Sequence, residues 1–549
     1  MRGRLIFMKI DKHLLILLIL VVIGFFTRVY KLSSIPGEMH RDEIAIGYNA
    51  YSVLTTGKDE HGAGPFPLIF ESYGDYKLPG LIYSSIPAIS IFGLNELAVR
   101  LPTAILGTLI IPLSYFFLKE LSKDKTKSLV AAGLITFSVW GTFLSRTGYE
   151  PIAGLTVQLA ALLFLLLSRK KPLYSLVSLL LFFISFFFYN LPLLISPFII
   201  VLILIIYRKD FFKSKSKVGS FLFMGFFASI FITTMVIQSN VTSGKAGTTI
   251  FSTSEIQEEI NSQRLYLTQS GFPSIFARII AGNEQNLILK FSKNYVAAFD
   301  PKYLFFTGGS NDWHNLSGIG LGNLSPVILV FLVVGLYYLA KEKSKLSYFL
   351  FGYLLISPVP DALTIDAPVT NRLLDLHFVI LIIASIGVVQ LFRYRKRVIV
   401  ILTAAYFGYY LLFISRYYFL YNQTLKPLWL EGTKEMAKEL RVKEKDYDEI
   451  YINSSGNGKI IDIPTLYSYI LFFSAYDPAG FQSNATWSSG NDYHAALSFY
   501  PYTITSLSLE DTSLLAEKEG KSILYLIRKP SKNGQISTWS STKLPSSTN

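Results

Sequence analysis

LPGLIYSSIPAISIFG, residues Leu78–Gly93, decides how the rest of the chain is threaded. It is apolar, but shorter than the roughly 20 residues that a helix needs to cross a ~30 Å hydrocarbon core, and it carries Pro79 and Pro87. Longer apolar runs flank it, at about 14–30, 100–118, 128–145, 151–168, 172–190, 192–207, 219–237, 324–340, 346–358, 373–391 and 397–414. Between them stand basic clusters: KELSKDKTK (119–127), SRKK (168–171), YRKDFFKSKSK (207–217), KEKSK (341–345) and RYRKR (393–397). If 78–93 does not cross, all five clusters share the side of the N-terminus, where Arg2, Arg4, Lys9 and Lys12 already sit. Loops rich in Lys and Arg stay in the cytoplasm. If 78–93 does cross, every later basic loop falls outside. The charge pattern therefore predicts about eleven spans, a cytoplasmic N-terminus, and 78–93 as a juxtamembrane or re-entrant helix against the outer face. No small-residue cleavage site follows Leu14–Phe26, so the first run reads as an uncleaved span.

Composition agrees with a multi-pass protein of the cell membrane. Of 549 residues, 51% are hydrophobic and only 16% charged, and mean hydropathy is +0.41. A soluble chain of this size would need more polar surface. The net charge of +14 is gathered at the ends of apolar runs and orients spans. It forms no basic face for nucleic acid. There is no cysteine, which excludes disulfides and thiolate metal sites.

This threading leaves four pieces outside, 31–99, 145–151, 238–323 and 358–372, and places the tail 415–549 there too. The tail differs in kind. Gly432–Val442 reads as an amphipathic helix, YDEIYINSS (447–455) as a strand, LYSYILFFSAY (466–476) as a helix and SILYLIRK (522–529) as a strand. The expected organisation is a transmembrane domain over 1–414, with outer loops 31–99 and 238–323. A small extracytoplasmic α/β domain over 415–549 follows, its last 15 or so residues disordered.

Polar residues at span ends collect on the outer pieces, where ionisable groups facing a cavity point to function. Asp42-Glu43 opens a helical stretch after the first span. Carboxylates there are stabilised by the helix dipole, and a carboxylate is also what an acceptor hydroxyl needs as a general base. Arg100, Arg146 and Arg372 stand at outer span ends, and Lys77 lies in the outer loop. Such cations oppose the side preference. Each could snorkel to headgroups, and one shared anion, such as a lipid phosphate, would account for all four. His40, Tyr149 and Glu150 flank these positions. Glu150 could simply pair with Arg146. Asp312-Trp313-His314 could contact substrate or ligate a divalent cation.

The stretch RDEIAIGYNAYSVLTTGKDEHGAGPFPLIFESYGDYKLPGLIYSSIPAISIFGLNELAVRLPTAILG (41–107) resembles the first outer loop of glycosyltransferase family 39. That is the protein O-mannosyltransferase and aminoarabinose transferase group, with the GT-C fold. The matching residues are Asp42-Glu43, Lys77-Leu78-Pro79 and Asn95-Glu96 with Arg100-Leu101-Pro102. SRTGYE (145–150) resembles the family's second acidic site. DPKYLFFTGGSNDWHN (300–315) and ISPVPDALTIDAPVTNR (356–372) look like later outer loops of bacterial members. The resemblance implies a GT-C membrane enzyme that takes a sugar from a polyprenyl-phosphate donor, with inversion. The acceptor would be a hydroxyl of a protein, glycolipid or polysaccharide on the outer face. It implies Asp42 as general base, Glu43 and Glu150 positioning hydroxyls, and Lys77, Arg100, Arg146 and Arg372 holding the donor phosphate. No cofactor is certain, and a divalent cation is possible. The other class that fits spans and outer cations is a flippase or transporter of a lipid-linked sugar. It calls for charges along several helices and on both faces, whereas the polar residues here collect on one.

Overall fold

Ten of the eleven apolar runs are helical in the computed structural model, and the eleventh, 219–237, lies largely outside the described residues. Those described are 11–212, 225–230, 232–233, 249–251, 254–309, 316–425, 432–453, 465–488, 496–530 and 537–544. In chain order come α1 (Lys12–Val29), α2 (Arg41–Thr56), β1 (Phe70–Ser72), β2 (Asp75–Lys77), α3 (Pro79–Phe92), α4 (Glu96–Ser122), α5 (Lys125–Thr136), α6 (Val139–Leu144), α7 (Glu150–Leu167), α8 (Tyr174–Phe188) and α9 (Asn190–Ile206). Then follow α10 (Val327–Glu342), α11 (Lys345–Ile356), α12 (Leu374–Tyr394), α13 (Lys396–Phe419), α14 (Thr433–Lys443), β3 (Glu449–Asn453), α15 (Leu466–Ser474), α16 (Pro478–Asn484), β4 (Thr486–Trp487), β5 (Ala496–Phe499), β6 (Tyr502–Thr505), β7 (Ile523–Pro530) and β8 (Ser537–Leu544).

Among the described residues five helices, α1, α4, α7, α12 and α13, are long and apolar enough to cross a membrane. On α1, Leu18, Val22 and Phe26 are exposed, as are Val400, Ile401 and Leu411 on α13. Apolar surface of that extent is stable against lipid and not against water. The chain is thus a mostly helical, multi-span membrane protein. The run 128–145 is not one helix. It stops at α5 and restarts at α6, because the Ser138 hydroxyl turns back to the Ile135 carbonyl and Ser138 becomes the cap of the next helix.

The chain forms two compact units. The first comprises residues 1–30, 103–145 and 150–416. Within it α10 packs along α12, and α7 along α8. The α10–α12 seam is close because it is built on glycine. A Cβ at Gly335 would meet the Ile383 carbonyl oxygen at 2.2 Å, and one at Gly387 the Phe331 oxygen at 2.0 Å. Small residues at such a crossing let two membrane helices approach backbone to backbone.

The second unit comprises 31–102, 146–149 and 417–549. Here α2 packs on α3, α15 and α16. A six-stranded sheet has the order β4-β5-β6-β3-β7-β8, with β3 parallel to both β6 and β7 and the outer pairs antiparallel. A separate hairpin joins β1 and β2 with Phe70 opposite Lys77. Its two central residues, Tyr73 and Gly74, both take positive φ, 60° and 72°. That is the turn whose twist suits a two-residue hairpin. The turn is tied down by the Tyr73 hydroxyl, 2.6 Å from the Ser468 hydroxyl.

Candidate active site

The site begins at the N-terminus of α2. His40 caps it: its Nδ1 accepts from the Asp42 amide at 3.2 Å, and its own amide donates to Glu43 Oε2 at 3.0 Å. This reciprocal arrangement is a capping box with histidine in the usual serine position. The cap turns Asp42 and Glu43 in different directions, and the two carboxylates are held by different partners.

Glu43 is completely buried. Oε1 accepts from Arg100 Nε at 2.8 Å and from the Gly148 amide at 2.7 Å; Oε2 accepts from Arg100 Nη2 at 3.1 Å and from the His40 amide. Four donors on two oxygens leave it no capacity for substrate. Arg100 is equally spent. Beyond the two bonds to Glu43, Nη1 donates to the carbonyls of Leu32 (3.2 Å) and Pro36 (2.7 Å), and Nη2 to that of Glu38 (2.7 Å). All five guanidinium N–H groups are used. Gly148 is required here: a Cβ would sit 3.0 Å from Val99 and 3.3 Å from Glu43.

Asp42 is the accessible member of the pair. Its side chain is 27% exposed, against none for Glu43. Lys77, delivered by β2, reaches Asp42 Oδ1 at 2.7 Å, with Asp75 Oδ2 3.7 Å away. Burial pushes the Asp42 carboxyl upward, but the Lys77 ammonium and then His40 outweigh it and hold the group well below the usual carboxylate range. Asp42 is therefore an anion at any physiological pH. His40 meets the Tyr149 ring edge-on, with centroids 5.3 Å apart. Arg146 is buried, donates from Nη2 to the Ile35 carbonyl at 2.9 Å, and lies over the rings of Tyr417 and Tyr418 at 5.4 and 5.2 Å. His40, Asp42, Glu43, Lys77, Arg100, Arg146 and Tyr149 are thus brought together in one unit.

Of the other predicted residues, Glu150 and Arg372 belong to the helical unit. Glu150 opens α7. Arg372 donates to the Thr364 hydroxyl at 2.8 Å and Asp366 at 2.5 Å. Asp312 and His314 lie outside the described residues. Among the described residues no group of three or more His, Cys, Asp or Glu could hold a metal ion.

Glu60 and Asp375 are also buried and were not among the predicted site residues. Glu60 accepts from the Ser72 hydroxyl at 2.7 Å, its Oε2 has no partner, and burial pushes it up to about 8. Asp375, in the first turn of α12, accepts from the Tyr353 hydroxyl at 2.5 Å and from Gln158 at 2.9 Å. The signal for the second was available: NRLLDLHFV puts an Asp and a His into an apolar run.

Membrane-length helices in one unit, and in the other an ionised carboxylate with a lysine on it and a locked Glu–Arg pair beneath, define a multi-span protein with a carboxylate–cation site. Residues 18–237 match the family described as dolichyl-phosphate-mannose-protein mannosyltransferase. The match contains the 41–107 stretch on which the resemblance was read. No curated protein matches the chain. Among solved structures, the archaeal oligosaccharyltransferase AglB from Archaeoglobus fulgidus, in complex with an inhibitory peptide and a dolichol-phosphate, is similar at 14% identity and TM-score 0.48. The similarity covers 84% of this chain and 63% of that one, so this chain spans less than two thirds of that length. ArnT from Cupriavidus metallidurans bound to undecaprenyl phosphate is similar at 10% identity and TM-score 0.44, over 94% of this chain and 92% of its own.

Proposed function

We propose that the protein is a glycosyltransferase that moves a sugar from a polyprenyl-phosphate carrier to an acceptor hydroxyl on the outer face of the cell membrane, with inversion. The observation that carries this reading is the ion pair between Asp42 and Lys77, 2.7 Å long, at the capped N-terminus of α2. The family match over 18–237 supports it.

Asp42 takes the acceptor proton as the acceptor oxygen attacks the anomeric carbon. The bond from that carbon to the phosphate oxygen breaks, and the phosphate leaves with the electron pair. Lys77 is the cation closest to the base, and with Arg146 it stabilises the leaving charge. Arg100 was expected to clamp the phosphate, but its five donors are committed to Glu43 and three carbonyls. It is assigned instead as a positioning residue, and so is Glu43, whose four bonds fix the loop that presents Asp42.

The test is transfer of label from undecaprenyl-phosphate mannose, and in parallel from a carrier-linked pentose, to an envelope extract by purified protein in lipid. Asp42→Asn should lose turnover by on the order of 10²–10⁴-fold while still binding donor. Full activity in that variant removes Asp42 as base. Movement of labelled carrier between leaflets without transfer overturns the enzyme reading in favour of a flippase.

A further inference from the structure

The helical unit contains a second polar cluster that the reading above does not use. Trp140 of α6, Tyr303 in the π-helical turn Lys302–Thr307, Asp361 in the short helix Val359–Ala362, Asn371 in the 3₁₀ turn Thr370–Arg372 and His377 of α12 are all buried. The His377 ring lies against Trp140 (centroids 5.7 Å, tilted 40°) and is stacked on Tyr303 (6.2 Å, 26°). Asp361 and Thr370 both act on the Tyr303 phenol, which places them at the same ring. Six atoms of this group have no hydrogen-bond partner: Trp140 Nε1, the Tyr303 hydroxyl oxygen, Asp361 Oδ2, Asn371 Oδ1 and both nitrogens of His377.

A buried polar atom without a partner is costly, and native proteins keep few of them. Here they lie on five separate elements, one of them a π-helical turn of a kind often found at functional sites. The chemistry of the set limits what would satisfy it. Trp140 Nε1 can only donate, the Asn371 oxygen can only accept, and the imidazole and the Asp361 carboxyl can do either according to protonation. An anion would face the carboxyl. A cation would meet the Arg372 charge nearby. A neutral ring carrying several hydroxyls offers donors and acceptors together, and a C–H face for the indole and phenol.

We propose that this cluster is a binding subsite for an uncharged, polyhydroxylated sugar ring, with His377, Trp140 and Asp361 as its specificity-determining groups. The proposal rests on the glycosyltransferase reading, and the ring could be that of the carrier-linked donor or of a glycan acceptor.

The test compares binding of undecaprenyl-phosphate mannose and of undecaprenyl phosphate to the full-length protein in lipid, for wild type, His377→Phe and Asp361→Asn, with methyl α-mannoside as a third probe. Phenylalanine keeps the stacked ring and removes both nitrogens. Losing a hydrogen bond of this kind is worth on the order of tenfold or more. Wild type should prefer the mannosylated carrier by at least about that factor, and both variants should approach parity with affinity for the bare carrier unchanged. If the variants instead keep the carrier preference and lose only the methyl mannoside, the subsite serves the acceptor. If both keep every wild-type affinity, the cluster is a polar core solvated internally, and the proposal falls while the transferase reading stands. If wild type binds neither carrier, both fall.

Discussion

Asp42 and Glu43 are adjacent, chemically alike, and put to different uses. Their position after a first span and before a helix is visible in the sequence, and so is the excess of cations on the same side. Which carboxylate is spent is not visible, because the decision is made by the amides of His40 and Gly148 and by a guanidinium 57 residues away. Two outcomes follow. Lys77→Met removes the charge that depresses Asp42 and leaves the burial that raises it. In the wild type the acid limb of kcat/KM should lie below the ordinary carboxylate range, since the base stays ionised until its lowered pKa is reached. In the variant that limb should move to higher pH, and a pH–rate profile with an unmoved limb would mean that Asp42 is not the titrating base. Arg100→Ala leaves Glu43 buried without its cation, which typically costs about 3–5 kcal/mol. Arg100→Lys should recover little, because an ammonium cannot serve a bidentate carboxylate and three carbonyls at once. A thermal-unfolding midpoint in Arg100→Lys equal to wild type would contradict the positioning role.

The hairpin β1–β2 is the element that delivers Lys77, and no reading of FESYGDYK as strands was made from the sequence. Three-residue strands are too short for alternation to show, and the turn depends on Tyr73 accepting positive φ next to Gly74. The break between α5 and α6 was hidden for a related reason: one serine hydroxyl inside an apolar run is compatible with a continuous helix. Helix existence, by contrast, was legible in ten runs, because 3.6-residue packing and membrane length leave a strong apolar signature. The loop between α2 and the hairpin carries a consequence of its own. Glu60 bridges them, its amide donating to Asn49 and its carboxyl accepting from Ser72. Burial pushes its carboxyl up to about 8 in the fold, from 4.5 for an ordinary glutamate. Between those values the folded chain holds a proton that the unfolded chain has lost, so stability should fall as pH rises from about 5 to 8. Glu60→Gln mimics the protonated form and should flatten this slope, bringing the melting midpoint at pH 8 above that of wild type. Parallel slopes in the two proteins would show that the carboxyl is not protonated in the fold.

Across the whole molecule the chain's linear order and its spatial grouping diverge. A boundary near 414 is natural along the sequence, where apolar runs give way to mixed α/β composition. In space, 31–102 and 146–149 group with 417–549, because α2 buries its apolar face on α15 and α16. No local pattern announces a contact between helices that are more than 400 residues apart in sequence. Orientation in the membrane is the largest inference still carried by charge alone, and the composition makes it directly measurable. The chain has no cysteine, so a single introduced thiol is labelled without background. Thr126 lies exposed in the first turn of α5, within the basic segment 119–127, and Ser483 is exposed on α16. If the basic loops are cytoplasmic, Thr126→Cys should resist a membrane-impermeant maleimide in intact cells and react after permeabilisation, while Ser483→Cys should react in both. The reverse pattern would place the Lys/Arg-rich loops outside. It would also put the Asp42–Lys77 site's unit on the cytoplasmic side, where the proposed outer-face transfer would have no acceptor. Labelling of both thiols in intact cells would require an even number of spans between them, against the odd number that the threading from 128–145 to 397–414 places there.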